Sequence, residues 1–239
     1  MKKSTAIKVS NVSKSFGVPH EKRETVKSYF VNPFRRTHKD KFDALKNINF
    51  EIKKGEFVGI VGRNGSGKST LLKLLAGIYV PNEGGVNVQG RVVPFLELGV
   101  GFSQELSGRE NIFLNGTILG MKKKFLEQKY NEIVAFAELE DFMDLPLKNY
   151  SSGMQVRLAF SIAMQADADV YLLDEILAVG DAAFQQKSLE EFKRLKKEGK
   201  TIIFVSHSPE TITKYSDRVL YLKEGEVADI GDAVEVVDR

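Results

Sequence analysis

Residues 59–75 read GIVGRNGSGKSTLLKLL, and this stretch decides the fold. It contains the spacing G-x-x-x-x-G-K-[ST] of a phosphate-binding loop. The apolar run Phe57–Val61 at its start predicts a buried strand, and the leucines after the loop have helical spacing with Gly77 as a stop. The loop glycines therefore lie between a strand and a helix N-terminus, where backbone N–H groups and the helix dipole attract an anion.

The polar groups of this loop have predicted contacts with a nucleoside triphosphate. The ammonium of Lys68 would reach the β- and γ-phosphates, the hydroxyl of Ser69 would ligate Mg²⁺, and the hydroxyl of Thr70 could reach the α-phosphate. The other predicted nucleotide-binding positions of the loop are Gly62, Asn64, Gly65, Ser66 and Gly67. The alternative is a glycine-rich turn that binds nothing, which the flanking strand and helix disfavour.

The composition is that of an ordinary globular protein. The 239 residues are 42% hydrophobic and 28% charged, and the net charge of +3 is too small to indicate nucleic-acid binding. The chain has no cysteine, which excludes a disulfide framework and a thiolate metal site and fits a reducing compartment. No apolar segment resembles a signal peptide or reaches the ~20 residues that span a bilayer, so we expect another protein to cross any membrane involved.

Strand and helix patterns alternate around the phosphate loop, which predicts a largely parallel α/β core. Residues 109–165 have a mostly helical pattern and predict an inserted subdomain, whereas residues 218–230 contain the hairpin signal Glu224-Gly225. A basic segment, residues 19–42, interleaves Lys and Arg with aromatic residues. It favours either a solvated loop or short helix covering the sheet, or a contact with an anionic membrane face or nucleic acid.

Two acids, Asp174 and Glu175, follow the apolar run VYLL. A carboxylate at the end of a buried strand beside the phosphate loop suits Mg²⁺, directly or through water. The adjacent Glu175 could polarise a water aimed at the γ-phosphate. Because apolar runs often end in acids at ordinary strand ends, the pair alone leaves both interpretations open.

The segment YSSGMQVRL, which begins at Tyr150, resembles the signature motif of ABC-type ATPases. The order of phosphate loop, signature, acidic strand and His207 is similar to that family across essentially the whole chain. The resemblance implies a head-to-tail dimer in which one subunit's phosphate loop holds ATP and the partner's signature caps it.

The signature residues suit this role physically. Ser151, Ser152 and Gly153 would begin a helix and offer a hydroxyl and N–H groups to a γ-phosphate. Where the family has Leu-Ser-Gly-Gly-Gln, this chain has Tyr-Ser-Ser-Gly-Met from Tyr150 to Met154. This departure preserves the predicted phosphate contact.

The resemblance carries over further positions one at a time. Phe16 falls where the family stacks an aromatic ring on adenine, although a core phenylalanine is an equal alternative. Gln104 is the candidate for the glutamine that senses Mg²⁺ and the membrane partner, with Ser103 as the alternative. Asp181, a predicted nucleotide-binding position, lies in the loop that crosses the dimer interface, and His207 falls where the family has its switch histidine on the γ-phosphate.

We therefore predict an α/β fold, a P-loop NTPase core of the RecA-like type with an antiparallel β subdomain and an inserted α-helical subdomain. The chain would be a single ABC ATPase domain. Residues 1–100 and 166–239 would form the nucleotide-binding core with the β subdomain, and residues 101–165 the helical signature subdomain. The implied ligands are ATP and Mg²⁺. The implied metal positions are Ser69, Gln104 and Asp174, and the implied catalytic residues are Glu175, His207 and Gln104.

Several fragments together resemble the ATPase subunits of polysaccharide and teichoic-acid exporters: SSGMQVRLAF, LELGVGF before GREN, LAVGD and the basic segment. We expect ATP hydrolysis to power export of a lipid-linked glycan of the O-antigen, capsule or teichoic-acid type. A homodimer would lie at the cytoplasmic face of the inner (cell) membrane, against a separate permease dimer that handles the glycan and is contacted by residues 95–120. The alternatives are another transport system, a non-transport ABC ATPase acting on DNA or ribosomes, and an ATP-binding switch without turnover.

Overall fold

The structure is a computed structural model that describes residues 4–19, 39–96, 99–174, 180–206 and 208–237. The strands within these residues are β1 Thr5–Pro19, β2 Lys39–Lys53, β3 Phe57–Val61, β4 Glu83–Val88, β5 Val92–Phe95, β6 Val170–Asp174, β7 Thr201–Val205, β8 Arg218–Lys223 and β9 Glu226–Asp232. The α-helices are α1 Lys68–Leu75, α2 Gly108–Ile118, α3 Lys123–Ala137, α4 Ser152–Ala163, α5 Ala182–Lys197, α6 Pro209–Tyr215 and α7 Ala233–Val237. Short 3₁₀ helices cover Glu140–Phe142 and Leu147–Asn149.

The strands form two sheets. The larger has the order β5-β6-β7-β3-β8-β9, in which neighbouring strands are parallel except for β9, which pairs with β8 in antiparallel fashion. The smaller sheet, β2-β1-β4, is antiparallel throughout. The predicted fold class is confirmed, because a mostly parallel α/β core lies beside an antiparallel sheet and the helices α2 to α4 follow one another between β5 and β6.

The central strands of the larger sheet are buried on both faces, as β6 illustrates. Val170 and Leu172 belong to a cluster that contains the leucines of α1 and the inward residues of the smaller sheet. Tyr171 and Leu173 belong to a second cluster with aromatic residues of α4 and α5, such as Phe160. Successive side chains of a strand point to opposite faces, so a continuous apolar run is the pattern that a doubly covered strand requires.

Helix α1 ends where the sequence predicts. Gly77 has a φ of 71°, the left-handed conformation that glycine adopts without penalty. Its N–H donates to the Leu74 carbonyl at 3.1 Å, and the Ile78 N–H donates to the Lys73 carbonyl at 2.9 Å. These two bonds form a Schellman motif, which satisfies carbonyls that the last helical turn would leave unpaired.

The alternating stretches AIKVSNV, residues 6–12, and NINFEIK, residues 47–53, predict two strands that are shorter than the observed β1 and β2. Phe16 pairs with Phe42 and Pro19 with Lys39, so both ends of the segment 19–42 lie in an antiparallel ribbon instead of a loop or short helix. Residues 20–38 lie outside the described residues. The pairing of β1 with β4 ends at Ser13, beyond which β1 pairs with β2 alone.

The predicted hairpin at Glu224-Gly225 is present and joins three parts of the core. Both residues have positive φ, 51° and 81°, which is the type I′ geometry of a two-residue turn. The Gly225 N–H donates to the Ser66 carbonyl at 3.2 Å, and its carbonyl accepts from the Lys46 N–H at 2.8 Å. The turn therefore ties the phosphate loop to β2.

Gly225→Ala is expected to lower the free energy of unfolding by about 2–3 kcal/mol in urea denaturation. A Cβ at this position would lie 2.9 Å from the Ala44 carbonyl oxygen, in addition to the strain of its positive φ. Gly199→Ala is the matched control, because Gly199 has a similar φ of 76° and open space around its Cα. Equal losses in the two variants would show that the contact with β2 contributes nothing.

Candidate functional site

The carboxyl ends of β3, β7 and β6 lie side by side and bring the predicted site residues to one edge of the sheet. Ile60 pairs with Val205, which in turn pairs with Asp174. With a strand spacing of about 4.8 Å, Asp174 lies about 10 Å from the strand that leads into the phosphate loop. Topology therefore places one carboxylate near the loop across a single intervening strand.

Two of the loop glycines are required by close contacts. A Cβ on Gly62, whose φ is 154°, would lie 2.3 Å from the Leu222 carbonyl oxygen. A Cβ on Gly67, whose φ is 104°, would lie 2.7 Å from the Ala44 carbonyl oxygen. The loop is thus wedged between the end of β8 and β2, and a larger residue at either position would force it open.

The loop surrounds its own lysine. The Lys68 ammonium is buried and donates to the carbonyls of Gly62 at 2.8 Å and Arg63 at 3.1 Å. An ammonium has three donors, so one more remains for an anion. The Ser66 hydroxyl is also buried, and within the described part of the chain it has no hydrogen-bond partner. A cation and an unsatisfied hydroxyl inside a glycine loop are what a phosphate group would complete.

The remaining loop residues differ in exposure. Asn64, Gly65 and Ser69 are exposed, whereas Thr70 is half-buried on the first turn of α1. The Ser69 hydroxyl is therefore accessible to a metal ion bound beside the loop. Its partner in the predicted metal set, Asp174, is half-buried at the end of β6.

The signature segment begins a helix, as predicted. Ser151 is the N-cap of α4 with φ −64° and ψ 159°, and its hydroxyl accepts a hydrogen bond from the Met154 N–H at 3.2 Å. Its hydroxyl proton remains available to a ligand. Ser151 and Ser152 are exposed, and a Cβ on Gly153 would find its nearest neighbour only at 3.8 Å, so this helix end is open to an approaching group.

Asp181 has a structural role in addition to its predicted contact with nucleotide. It is the N-cap of α5 and accepts from the Phe184 N–H at 2.9 Å. Its other oxygen lies 3.8 Å from Arg157 of α4, whose Nε donates to the Ala137 carbonyl at 3.0 Å. Asp181 therefore joins the helix after the acidic strand to the signature helix.

Gln104 and Ser103 both lie beside the helical segment. The Gln104 side-chain amide pairs with that of Gln155 in α4 at 3.4 Å, and Gln104 is exposed. The Ser103 N–H donates to the Asn111 side chain at 2.8 Å. Which of them corresponds to the family's glutamine stays open, and the metal-sensing role stays a prediction.

Phe16 lies in a small cluster of rings and cations. Its ring meets Tyr79 edge-on with centroids 5.5 Å apart, and the Lys14 ammonium lies 5.3 Å from its centroid. The ring is half-buried, so it retains an exposed portion. Both interpretations of Phe16, adenine stacking and core packing, remain compatible with this position.

The two remaining catalytic predictions, Glu175 and His207, lie outside the described residues. Their chain neighbours lie at the same sheet edge as the phosphate loop, since Asp174 is the last residue of β6 and Ser206 follows β7. The roles of Glu175 and His207 therefore stay predictions.

An apolar groove of about 560 Å³ lies between β5, the turn that follows it and α2. Val100 and Ile118 on its rim are 59% and 58% exposed, unusually high for side chains of this type. Further lining residues are Ile78, Val92, Leu96 and Leu119. Part of its lining, from Leu96 to Gly120, lies within residues 95–120, the segment for which a permease contact is predicted.

Two buried asparagines that the sequence analysis did not identify hold the wall of this groove. Asn111 donates to the carbonyls of Ser103, Leu106 and Ser107 at 2.9–3.0 Å. Asn115, one turn further along α2, donates to the Val100 carbonyl at 2.9 Å. The available signal was two amide side chains four residues apart on the helix face where apolar residues are expected.

The N-terminus of α2 is fixed by a capping box. The Ser107 hydroxyl accepts from the Glu110 N–H at 3.2 Å, and the Glu110 carboxylate accepts from the Ser107 N–H at 2.8 Å. The Ser107 side-chain and backbone hydrogen bonds lower the pKa of Glu110 from its usual value. A lowered pKa stabilises the fold above the unfolded-state pKa, and this contribution is lost as the pH falls through the folded-state value.

Among the residues that the structure describes, membrane-spanning helices and clusters of metal ligands are both absent. Across these residues, no helix is long and apolar enough to cross a bilayer. In the same part of the chain, no three His, Cys, Asp or Glu side chains are grouped to hold a metal ion.

The loop, the sheet edge and the exposed helix start define a P-loop nucleotide-binding protein, and comparison with known sequences gives its family. The sequence profile described as "ABC transporter" matches residues 45–178. The O-antigen export system ATP-binding protein RfbB of Klebsiella pneumoniae is 41% identical over 235 residues, covering 97% of this chain and 96% of the relative. The chain belongs to the ABC transporter family, in which it is an ATP-binding subunit.

Two further comparisons agree. The teichoic acids export ATP-binding protein TagH of Shouchella clausii is 41% identical over 231 residues, or 97% of this chain and 64% of TagH. The ATP-binding cassette MJ0796, solved as a dimer bound to ADP and Pi, superposes with a TM-score of 0.75 and 25% identity over 95% of this chain and 98% of the cassette. The chain and the solved cassette thus share nearly the whole fold.

Ser151→Ala is expected to lower the free energy of unfolding by about 1 kcal/mol, because the N-cap bond to Met154 is lost. Ser152→Ala is the control, since Ser152 is exposed at the first helical position and alanine is favourable there. Denaturant unfolding of both variants without nucleotide measures the difference. Indistinguishable stabilities would contradict the capping role of Ser151.

Proposed function

We propose that this chain is the ATP-hydrolysing subunit of an exporter of lipid-linked polysaccharide, of the O-antigen, capsule or teichoic-acid type. The observation that carries the ATPase part is the glycine loop closed around Lys68 and the unsatisfied Ser66 hydroxyl, one strand from the Asp174 edge. The export part is supported by relatives that are named for O-antigen and teichoic-acid export and cover nearly the whole chain.

Two copies of the chain would form the ATP sites. In each site the loop N–H groups and Lys68 of one copy hold the phosphates, Ser69 and Asp174 hold Mg²⁺, and Phe16 stacks on the adenine. Ser151, Ser152 and Gly153 of the second copy then donate to the γ-phosphate from the open start of α4. The solved dimeric relative bound to ADP and Pi supports this arrangement.

Hydrolysis would use residues at the carboxyl edge of the sheet. Mg²⁺, when bound, withdraws charge from the β- and γ-phosphate oxygens. Glu175 accepts the proton of the attacking water, and His207 donates to the γ-phosphate. Gln104 reports the state of the site to the permease, and Asp181 links the two copies.

Lys68→Ala is expected to weaken ATP binding roughly tenfold or more, because the β- and γ-phosphates lose a charge-assisted hydrogen bond. Calorimetric titration with ATP and Mg²⁺ measures the affinity. Lys54→Ala is the control, since Lys54 is an exposed lysine in the turn before β3, at the end of the strand opposite to the loop. An unchanged affinity in Lys68→Ala would refute the assignment of the phosphate loop.

We propose that the apolar groove receives the permease, with the dimer held against the cytoplasmic face of the inner (cell) membrane. A partly exposed groove lined mainly by apolar side chains fits the apolar side chains of a cytoplasmic loop or helix of the permease. The wall of the groove runs through α2 towards the signature helix, so movement at the ATP sites could reach it. The glycan itself would be handled by the permease.

Ile118→Asp is expected to abolish export while leaving the ATP affinity of the isolated chain unchanged, because it puts a charge on the groove rim. Surface polymer in a complemented deletion strain and calorimetry with ATP measure the two effects. Val234→Asp in α7 is the matched control, because Val234 is a 53% exposed valine outside the groove. A parallel loss of ATP affinity in Ile118→Asp would make the residue structural and remove the groove as the docking surface.

A further inference from the structure

The first residue of the signature segment is a buried tyrosine whose hydroxyl is used within the fold. Tyr150 is 5% exposed, and its hydroxyl donates to the Phe142 carbonyl at 2.7 Å. Burial raises the pKa of Tyr150 to about 12, so the phenol keeps its proton and can donate throughout the physiological range. The leucine that the family has at this position could pack there but could not make this bond.

The tyrosine also fixes the start of α2. A Cβ on Gly108, the first residue of α2, would lie 2.2 Å from the Tyr150 hydroxyl oxygen and 3.1 Å from its ring carbon Cζ. The hydroxyl therefore occupies the space that any side chain at position 108 would need. Gly108 at the start of α2 and Tyr150 before the signature serines therefore pack directly against each other.

Backbone pairing extends this contact towards the groove. The Gly108 N–H donates to the Leu145 carbonyl at 3.2 Å and the Leu147 N–H to the Leu106 carbonyl at 2.9 Å. Further along, the Lys148 N–H donates to the Gln104 carbonyl at 3.0 Å. Residues 104–109, which continue from the groove wall, are therefore hydrogen-bonded to the residues that precede the signature.

We infer that Tyr150 is a positioning residue, which holds Ser151 and Ser152 in fixed register with α2 through its bond to Phe142 and its packing on Gly108. The groove wall and the phosphate-capping serines then move as one unit. This inference rests on the proposed function, since it presumes that the serines cap the partner subunit's ATP. Tyr150 itself touches no nucleotide.

The direct test is Tyr150→Phe, which removes one oxygen and keeps the ring. Dimer formation is measured by sedimentation with a non-hydrolysable ATP analogue and Mg²⁺, and binding to the chain's own phosphate loop by titration at concentrations too dilute for dimers. The dimer is expected to weaken about fivefold or more, while the loop's own nucleotide affinity is unchanged. Tyr171→Phe is the matched control, because its buried hydroxyl also donates to a backbone carbonyl, that of Ala166, at 2.9 Å, at the far end of α4.

A second pair of variants tests the packing half of the contact. Gly108→Ala is expected to weaken the dimer in the wild-type background, where the new methyl meets the hydroxyl oxygen. In the Tyr150→Phe background the same change is expected to have less effect, because the 2.2 Å contact is removed and the nearest remaining atoms, Met143 Cε and the ring carbon Cζ, would lie 3.0 and 3.1 Å from the new methyl. The coupling between the two substitutions isolates their contact from general instability.

The outcomes separate the two proposals. A wild-type chain that binds no ATP, or binds it without forming dimers, overturns both the proposed function and the role of Tyr150. A wild type that does both, beside a Tyr150→Phe variant with an unimpaired dimer, overturns the role of Tyr150 alone. An equal loss in Tyr171→Phe, or a loss of the loop's own nucleotide affinity, also overturns it.

Discussion

The conformation of the phosphate loop is imposed by backbone groups that lie outside it. The loop passes between the Leu222 carbonyl at the end of β8 and the Ala44 carbonyl of β2, both too close for any side chain at Gly62 or Gly67. The turn at Gly225 closes this frame by accepting from β2 and donating to Ser66. The antiparallel sheet and the terminal hairpin are therefore part of the site, because they hold the loop in a shape that a glycine-rich chain would not keep unaided.

The buried Lys68 ammonium explains why the loop favours an anion. Burying the Lys68 ammonium is unfavourable unless its protons are paired, and the two loop carbonyls pair two of the three. A phosphate would supply the missing acceptor together with an opposite charge. It would also give the buried Ser66 hydroxyl a hydrogen-bond partner. One bound phosphate would therefore pair both the lysine and the serine of the loop.

The sequence predicted those features that local pattern determines. The strand predicted over Phe57–Val61 has the bounds of β3, since a short apolar run buried on both faces has a clear pattern. Helix starts at Ser151 and stops at Gly77 followed from side-chain chemistry. The second half of β1 was missed because it pairs with a single neighbour and its residues, SKSFGVP, lack apolar alternation.

Sequence motifs predicted only those parts of the site that depend on the identity of side chains. The bonds from Gly225 to Ser66 and from Lys148 to Gln104 join backbone atoms far apart in sequence, so no residue pattern encodes them. Tyr150 was visible as a departure from the family's leucine, yet its partner Gly108 was not, because a contact between a hydroxyl and an absent side chain leaves no motif.

The helical segment holds the exposed start of the signature helix in place, which a dimer with shared ATP sites requires. In the proposed dimer, serines that cap a phosphate on another chain need to be exposed, and exposed helix starts are among the most easily frayed parts of a fold. Here Ser151 caps its own helix while Tyr150, immediately before it, is anchored in the core and hydrogen-bonded to Phe142. The asparagines of α2 fix the other side of the same unit by bonding the turn from Val100 to Ser107. In the inferred unit of groove wall and signature, closing two copies over ATP would displace the groove wall and leave the helix that bears the serines undeformed.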